Sequence, residues 1–328
     1  MAKIFPYPIV ICAFNRPEYF ERLISSIDAQ ELPIDSNKLH VLLDGYENSL
    51  DQLKGKTSHK TKMIEIVNKT FPDSHLHEQP LNMGIARIHY KALNQAFSEN
   101  PEWALILEDD VVLTKDALRF LQEIILQELE LPANTAIINL DCWPRINHKY
   151  KRGNFVASHG TRAFLISQKF HAQILEISKI YLEYFNTIQY RDKNYADMIK
   201  HMLPTKLFLP GKHSDEFYSS LVDHFGYLQF APSKALAHHI GVIGENENSI
   251  LSEALWLIPL EDKRASADFR LKSTDLMRIK FAHSLSKNFT LSFRELPIMQ
   301  AVKFQGFYRT LLSISSKFLA RIFCLFPL

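Results

Sequence analysis

The chain predicts an α/β fold, a mostly parallel, doubly wound sheet with helices on both faces. Three observations carry this. Residues 8–13 and 103–107 are unbroken apolar runs, the pattern of strands covered on both sides. Segments with helical spacing alternate with them, which makes parallel pairing through crossover helices the economical arrangement. Polar residues then follow directly where the strands stop: Asn15, Asp44 and Glu108-Asp109-Asp110. In such sheets ligands bind at the carboxyl ends of the strands.

The elements follow in order. After the first strand, Asn15-Arg16-Pro17 forms a turn with proline at a helix start. A helix over 18–29 is carried by Phe20, Leu23, Ile24 and Ile27. A strand at 39–43 ends at Asp44-Gly45, and 61–69 reads as a helix. A short strand at 76–78 and a helix at 84–98 precede the strand at 103–107, which runs straight into the acids. The second half is less regular. It gives a strand at 135–140, a helix at 169–185 and a short helix at 215–224. Residues 186–214, which contain Pro204 and Pro210, read as loop.

Composition bounds the function classes. Of 328 residues, 46% are hydrophobic and 23% charged, which excludes disorder and fibrous classes and suits one large domain with an appendage. The three cysteines, Cys12, Cys142 and Cys324, form no CxxC pair, so a reducing compartment is expected and a zinc–cysteine site is not. Pro6 and Pro8 interrupt the N-terminal apolar run, and no stretch reaches the length of a membrane span. A cytoplasmic location is the expectation. Net charge is +2, yet residues 276–328 carry eight basic side chains against Glu295, leaving the body mildly acidic.

The acidic triplet holds the chemistry. Three consecutive carboxylates between apolar runs cannot sit in a core unpaired, since each buried charge costs several kcal/mol. At a strand end their repulsion calls for a cation, and such oxygen ligands suit Mg²⁺ or Mn²⁺. The plainer reading is a solvated acidic turn that caps a helix beginning near Thr114.

Val10-Ile11-Cys12-Ala13-Phe14-Asn15-Arg16-Pro17, Leu42-Leu43-Asp44-Gly45, Leu81-Asn82-Met83-Gly84-Ile85-Ala86 and the acidic triplet occur in that order. In order and spacing they resemble the GT-A glycosyltransferases. The stretch 85–93 is similar to the helix before the acidic motif in the N-acetylglucosaminyltransferases that initiate complex N-glycans. Bacterial family-2-like glycosyltransferases share the same front half. The resemblance covers residues 8–115 well, 135–245 loosely, and the tail not at all. It implies a catalytic domain over 1–250, with a nucleotide-sugar half at 1–115 and an acceptor-side half at 116–250.

Residue by residue, the resemblance implies a donor site and a base. Ala13, Phe14, Asn15 and Arg16 would wrap the nucleotide, and Asp44 would take a donor from the base. Arg87 and His89 would lie near the diphosphate. Asp110 would ligate the metal, with Glu108 and Asp109 supporting it and contacting the ribose. His239, in His238-His239, falls where such enzymes supply a late ligand; a plain surface pair is the alternative. Asp215-Glu216 would supply the base that deprotonates the acceptor, against a reading as a simple helix cap. The segment Ser158-His159-Gly160-Thr161-Arg162 would face the acceptor through His159, Gly160 and Arg162. The implied reaction moves a sugar, with inversion, from a UDP-linked donor to a glycan or lipid-linked glycan, with Mn²⁺ or Mg²⁺ as cofactor.

Residues 251–328 read as a helical appendage. Phe304, Phe307, Tyr308, Leu311, Ile314, Phe318, Ile322 and Leu325 share one helical face, opposite Arg309, Ser313, Lys317 and Arg321. This basic amphipathic pattern suits an anionic membrane surface, and so a peripheral position on the inner leaflet. Packing on the catalytic domain or on a second subunit is the alternative. No nucleic-acid partner is expected. A nucleotidyltransferase of related fold would carry a glycine-rich phosphate loop after the first strand, and the Ala13–Arg16 turn has no glycine. A non-catalytic glycan- or membrane-binding module would not need the triplet.

Overall fold

The computed structural model describes residues 4–47, 55–126, 131–140, 155–158, 160–188, 192–207, 214–232 and 235–241. His159 and the amphipathic segment within 251–328 lie outside them. The first half runs β1 (Ile9–Ala13), α1 (Pro17–Asp28), β2 (Leu39–Leu43), α2 (Thr57–Thr70), β3 (His75–Glu78), α3 (Gly84–Ala96) and β4 (Trp103–Glu108). The second continues β5 (Val111–Leu113), α4 (Ala117–Leu126), β6 (Thr135–Asn139), β7 (Phe155–Ala157), β8 (Ala163–Ser167), α5 (Gln168–Glu183), α6 (Tyr195–Met202), α7 (Ser214–Phe225), β9 (Leu228–Pro232) and β10 (Ala237–His239).

Eight of these strands form one sheet in the order β3-β2-β1-β4-β8-β6-β9-β7. The β3-β2-β1-β4 half is parallel throughout. β8 runs antiparallel to both β4 and β6, while β6 and β9 are parallel. β5 and β10 make a separate antiparallel pair. The expected mostly parallel α/β architecture is the one observed.

Unbroken apolar strands serve two cores. In β1, Ile9, Ile11 and Ala13 join the cluster under α1, α2 and α4, while Val10 and Cys12 join the cluster under α3, α5 and α7. β4 alternates in the same way, with Leu105 and Leu107 on one side and Ala104 and Ile106 on the other. A two-residue side-chain period under helices on both faces leaves no strand position for a polar residue until the strand ends. α1 buries Phe20, Leu23, Ile24 and Ile27, the four positions its spacing marks.

One expectation is overturned. Residues 195–202, read as loop, form α6 and bury Met198, Ile199 and Met202. Asn194 caps it by accepting from the backbone N–H groups of Ala196 and Asp197. Pro204 falls after the helix, at the start of a 3-10 turn, where its missing N–H costs nothing. The proline signal marked the end of a helix short enough for its periodicity to be overlooked.

The core also carries a pH liability. His171 on α5 is buried and stacks on Phe97 with ring centroids 4.6 Å apart. Burial pulls its pKa down to about 4. The unfolded chain takes up this proton near pH 6.5 and the folded chain only near 4, so stability is lost as pH falls between those values. Between pH 7.5 and 4.5 the loss from this group is about 2 kcal/mol. Denaturant unfolding of His171→Phe should show a pH dependence flatter by about that amount; parallel profiles would remove His171 as the cause.

Candidate functional site

The sheet turns around β1. The chain winds from β1 through β2 to β3 in one direction, and β4 then pairs on the other side of β1. Such a reversal opens a crevice at the carboxyl ends of the two strands. The register sets Cys12 opposite Glu108, so the residues leaving β1 lie beside those leaving β4.

The contacts follow from that register. The Phe14 N–H donates to Asp109 Oδ2 at 2.9 Å. Arg16 then folds back over both acids. Its Nη2 pairs with Asp109 Oδ1, and its Nη1 donates to Asp110 Oδ2 at 2.7 Å. Asp109 and Asp110 are 2% and 4% exposed, whereas the Arg16 side chain is 26% exposed. The cation that the triplet required is therefore present within the chain, as a planar guanidinium bridging two carboxylates.

β10 brings the next group. It pairs with β5 so that His239 faces Val111, and the Ile240 N–H donates to the Asp110 carbonyl at 2.8 Å. His239 Nε2 then lies 3.1 Å from Asp110 Oδ2. This approach needs a glycine at 241, because a Cβ there would stand 2.5 Å from Asp110 Oδ2 and 2.9 Å from His239 Nε2. From the other side the Arg162 carbonyl accepts from the Glu108 N–H at 2.8 Å. The Arg162 charge reaches Asp110, so this residue, expected on the acceptor side, also acts on the acidic cluster.

Electrostatics divide the two aspartates. Burial pushes Asp109 up to about 6 against the pull of Arg16. Burial would raise Asp110 as well, but the hydrogen bond with His239 and the charge of Arg16 hold it well below the usual carboxylate range. Cys12, beneath them, is raised by burial and then by Glu108, Asp109 and Asp44, so it stays a thiol.

Asp44 has a structural part in the chain itself. Its Oδ1 accepts from the backbone N–H groups of Gly45 (2.9 Å) and Met83 (2.7 Å). Its Oδ2 accepts from the Gly84 N–H (3.0 Å) and from Asn82 Nδ2 (3.1 Å). Buried at 7% exposure, it anchors the start of α3, and its four acceptor sites are taken by the chain itself. The carboxylate expected at the nucleobase thus also anchors the start of α3.

The remaining expected residues separate into groups. Asn15 sits at φ +54 and receives the Lys56 N–H on its Oδ1, with His59 Nδ1 also 2.9 Å from that oxygen. This ties the turn after β1 to the start of α2. Ala13 accepts the Asp44 N–H through its carbonyl. His89 is 1% exposed, with Nε2 3.3 Å from Glu108 Oε1, which places it against the triplet. Arg87 donates to Asn186 Oδ1 at 2.8 Å. Gly160 packs on α7, its N–H 3.5 Å from Ser219 Oγ. Asp215 and Glu216 occupy the first turn of α7, Glu216 half-buried.

The fit of a divalent cation rests on two residues. Among the described residues, no three His, Cys, Asp or Glu side chains are arranged to hold a metal ion. Asp110 nevertheless keeps one buried oxygen, Oδ1, with no hydrogen-bond partner, and its other oxygen faces His239. Magnesium-type ions bound through one or two side chains, with the substrate's phosphates completing the shell, need no larger protein set. Asp110 and His239 fit that donor set.

Residues 50–186 match the model of glycosyltransferase family 25 (LPS biosynthesis protein). The matched part spans β4 and the acidic triplet. None of the curated proteins is matched. Among solved structures, the chain is similar to S. aureus TarS 1-349 (TM-score 0.41, 13% identity, 67% of this chain and 72% of that one). The galactosyltransferase LgtC with donor and acceptor sugar analogs gives a TM-score of 0.38 at 15% identity, over 76% of this chain and 91% of that one. A cytidylyltransferase from Leptospira borgpetersenii gives 0.33 at 12% identity, over 52% and 64%. The chain spans 34% of the longer S. aureus TarS chain. All are distant likenesses.

Proposed function

We propose that this chain is a glycosyltransferase that moves a sugar from a UDP-linked donor to a glycan or lipid-linked glycan, with inversion, at the rim formed by the ends of β1 and β4. The observation that supports it is the meeting of Arg16, Glu108-Asp109-Asp110, Arg162 and His239 there, in a chain whose 50–186 segment matches a glycosyltransferase family. An N-acetylhexosamine donor rests on the resemblance of residues 8–115 alone.

In this reading Arg16 and Arg162 face the donor's phosphates. A guanidinium already held by two carboxylates has N–H groups to spare for a phosphate oxygen. Asp110 and His239 would hold Mn²⁺ or Mg²⁺, whose chemistry when bound is to neutralise charge on the leaving diphosphate. The acceptor hydroxyl loses its proton to a carboxylate as its oxygen bonds the anomeric carbon and the bond to the phosphate oxygen breaks. Glu216, in the first turn of α7, is the base, with Asp215 beside it. The basic segment within 251–328 would bring the protein to an anionic membrane surface.

Release of free UDP from a panel of UDP-sugars, with and without Mn²⁺, tests the reading; no release with any UDP-, GDP- or CMP-sugar sinks it. Glu216→Gln should lower turnover by about 10²–10⁴ while donor binding, followed by titration calorimetry, stays near wild type. Unchanged turnover in both Glu216→Gln and Asp215→Asn would place the base elsewhere.

A further inference from the structure

We infer that Arg16 is a built-in competitor of the divalent cation, occupying Asp109 and Asp110 in the free protein, so that a cation gains Asp110 only when the guanidinium leaves it. The inference rests on the proposed function for the cation's purpose, and on geometry for the competition itself.

Three observations carry the competition. Arg16 Nη1 and His239 Nε2 converge on the same oxygen, Asp110 Oδ2, at 2.7 and 3.1 Å. The second oxygen, Oδ1, is buried and has no hydrogen-bond partner, in a side chain 6% exposed. Gly241 closes the far side, where even a methyl group would stand 2.5 Å from Asp110 Oδ2. A cation that takes Asp110 together with His239 thus enters where the guanidinium already sits, and two cations on one carboxylate oxygen repel at short range.

The free protein favours Arg16 for a physical reason. Two adjacent buried carboxylates need two donors in fixed directions, and the guanidinium fork supplies both, whereas one ion beside Asp110 would leave Asp109 with only the Phe14 N–H. Arg16 is also the member of the cluster that can leave. Its side chain is the more exposed partner of each pair and lies over the Tyr19 ring, with Cζ 5.8 Å from the centroid. A donor diphosphate offers that guanidinium a second anionic partner. Cation binding is then ordered, following the donor or arriving with it.

The test uses Mn²⁺ alone, without nucleotide, on the full chain. Titration calorimetry and Mn²⁺-induced thermal shift should show weak binding to wild type and binding at least about tenfold tighter in Arg16→Gln, one decade being the smallest change that separates competition from scatter. Arg16→Gln should melt lower than wild type without metal and recover most of the difference in Mn²⁺, since the ion replaces the missing charge. Asp110→Asn on the Arg16→Gln background should erase the gain. Arg16→Lys keeps the charge but not the fork, so it should give an intermediate gain, and it decides the matter if Arg16→Gln does not fold. Equal Mn²⁺ affinity in wild type and both Arg16 variants, whether tight or absent, overturns the inference. UDP release by the wild-type protein in the same preparation tests the proposed function separately, so either idea can fail while the other stands.

Discussion

Asp44→Ala is expected to lower the stability of the folded chain by about 3 kcal/mol, with donor binding reduced only in so far as the protein unfolds. The carboxylate is buried and accepts four hydrogen bonds, three of them from backbone N–H groups. Alanine strands those donors around the start of α3, and each orphaned buried donor costs about 1 kcal/mol or more. It also removes a negative charge from a helix N-terminus, where the macrodipole favours one. Asp44→Asn should recover only part of the loss, because its amide NH₂ meets donors where an acceptor stood. Urea unfolding measures this. A shift below about 0.5 kcal/mol, the size of an ordinary surface substitution, combined with weakened nucleotide binding, would make Asp44 a base contact rather than a helix anchor.

Asp110→Ala is expected to reduce sugar transfer by about 10²–10³ while the chain still folds. Asp110 is the meeting point of Arg16, His239 and the influence of Arg162, and its buried Oδ1 has no hydrogen-bond partner. Without it His239 loses its acidic neighbour and Arg16 keeps only Asp109. The fold persists because the cluster loses one negative charge and no positive one, so no buried carboxylate is left without its partner. UDP release, with circular dichroism as the control for folding, reads both outcomes. Transfer close to wild type would remove Asp110 from the machinery. Full wild-type activity in EDTA would remove the metal while leaving the Arg16 pairing in place.

How much of this was legible in the sequence depends on the range of the interaction involved. β1 and β4 were readable because a strand covered on both faces has no room for polar residues, so its apolar run marks its length, and β2 departs from this only at half-buried His40. α1 was readable because Phe20, Leu23, Ile24 and Ile27 repeat at the helical period. α6 was obscured because eight residues span barely two turns, too few for the period to stand out beside two prolines. β7, β8 and β9 are short or follow irregular segments, and their places in the sheet depend on partners far along the chain.

The site divides in the same way. Sequence alone put Asn15, Asp44 and Glu108-Asp109-Asp110 on one rim, because strand ends in a doubly wound sheet share a side. It also marked the acids as needing a cation, since neighbouring carboxylates in an apolar setting repel. Which cation meets them was decided by tertiary structure. The register of Cys12 on Glu108 carries Arg16 onto the two aspartates across more than ninety residues, and the β5–β10 pairing carries His239 to the same oxygen from a further 129 away. The helix-anchoring bonds of Asp44 were decided there too, since an Asp-Gly turn looks the same in sequence whether or not its carboxylate meets the start of a helix. Local periodicity fixes elements and their ends because it acts within a few residues. Charge pairing depends on which chain ends the sheet order sets side by side, and no local pattern encodes that.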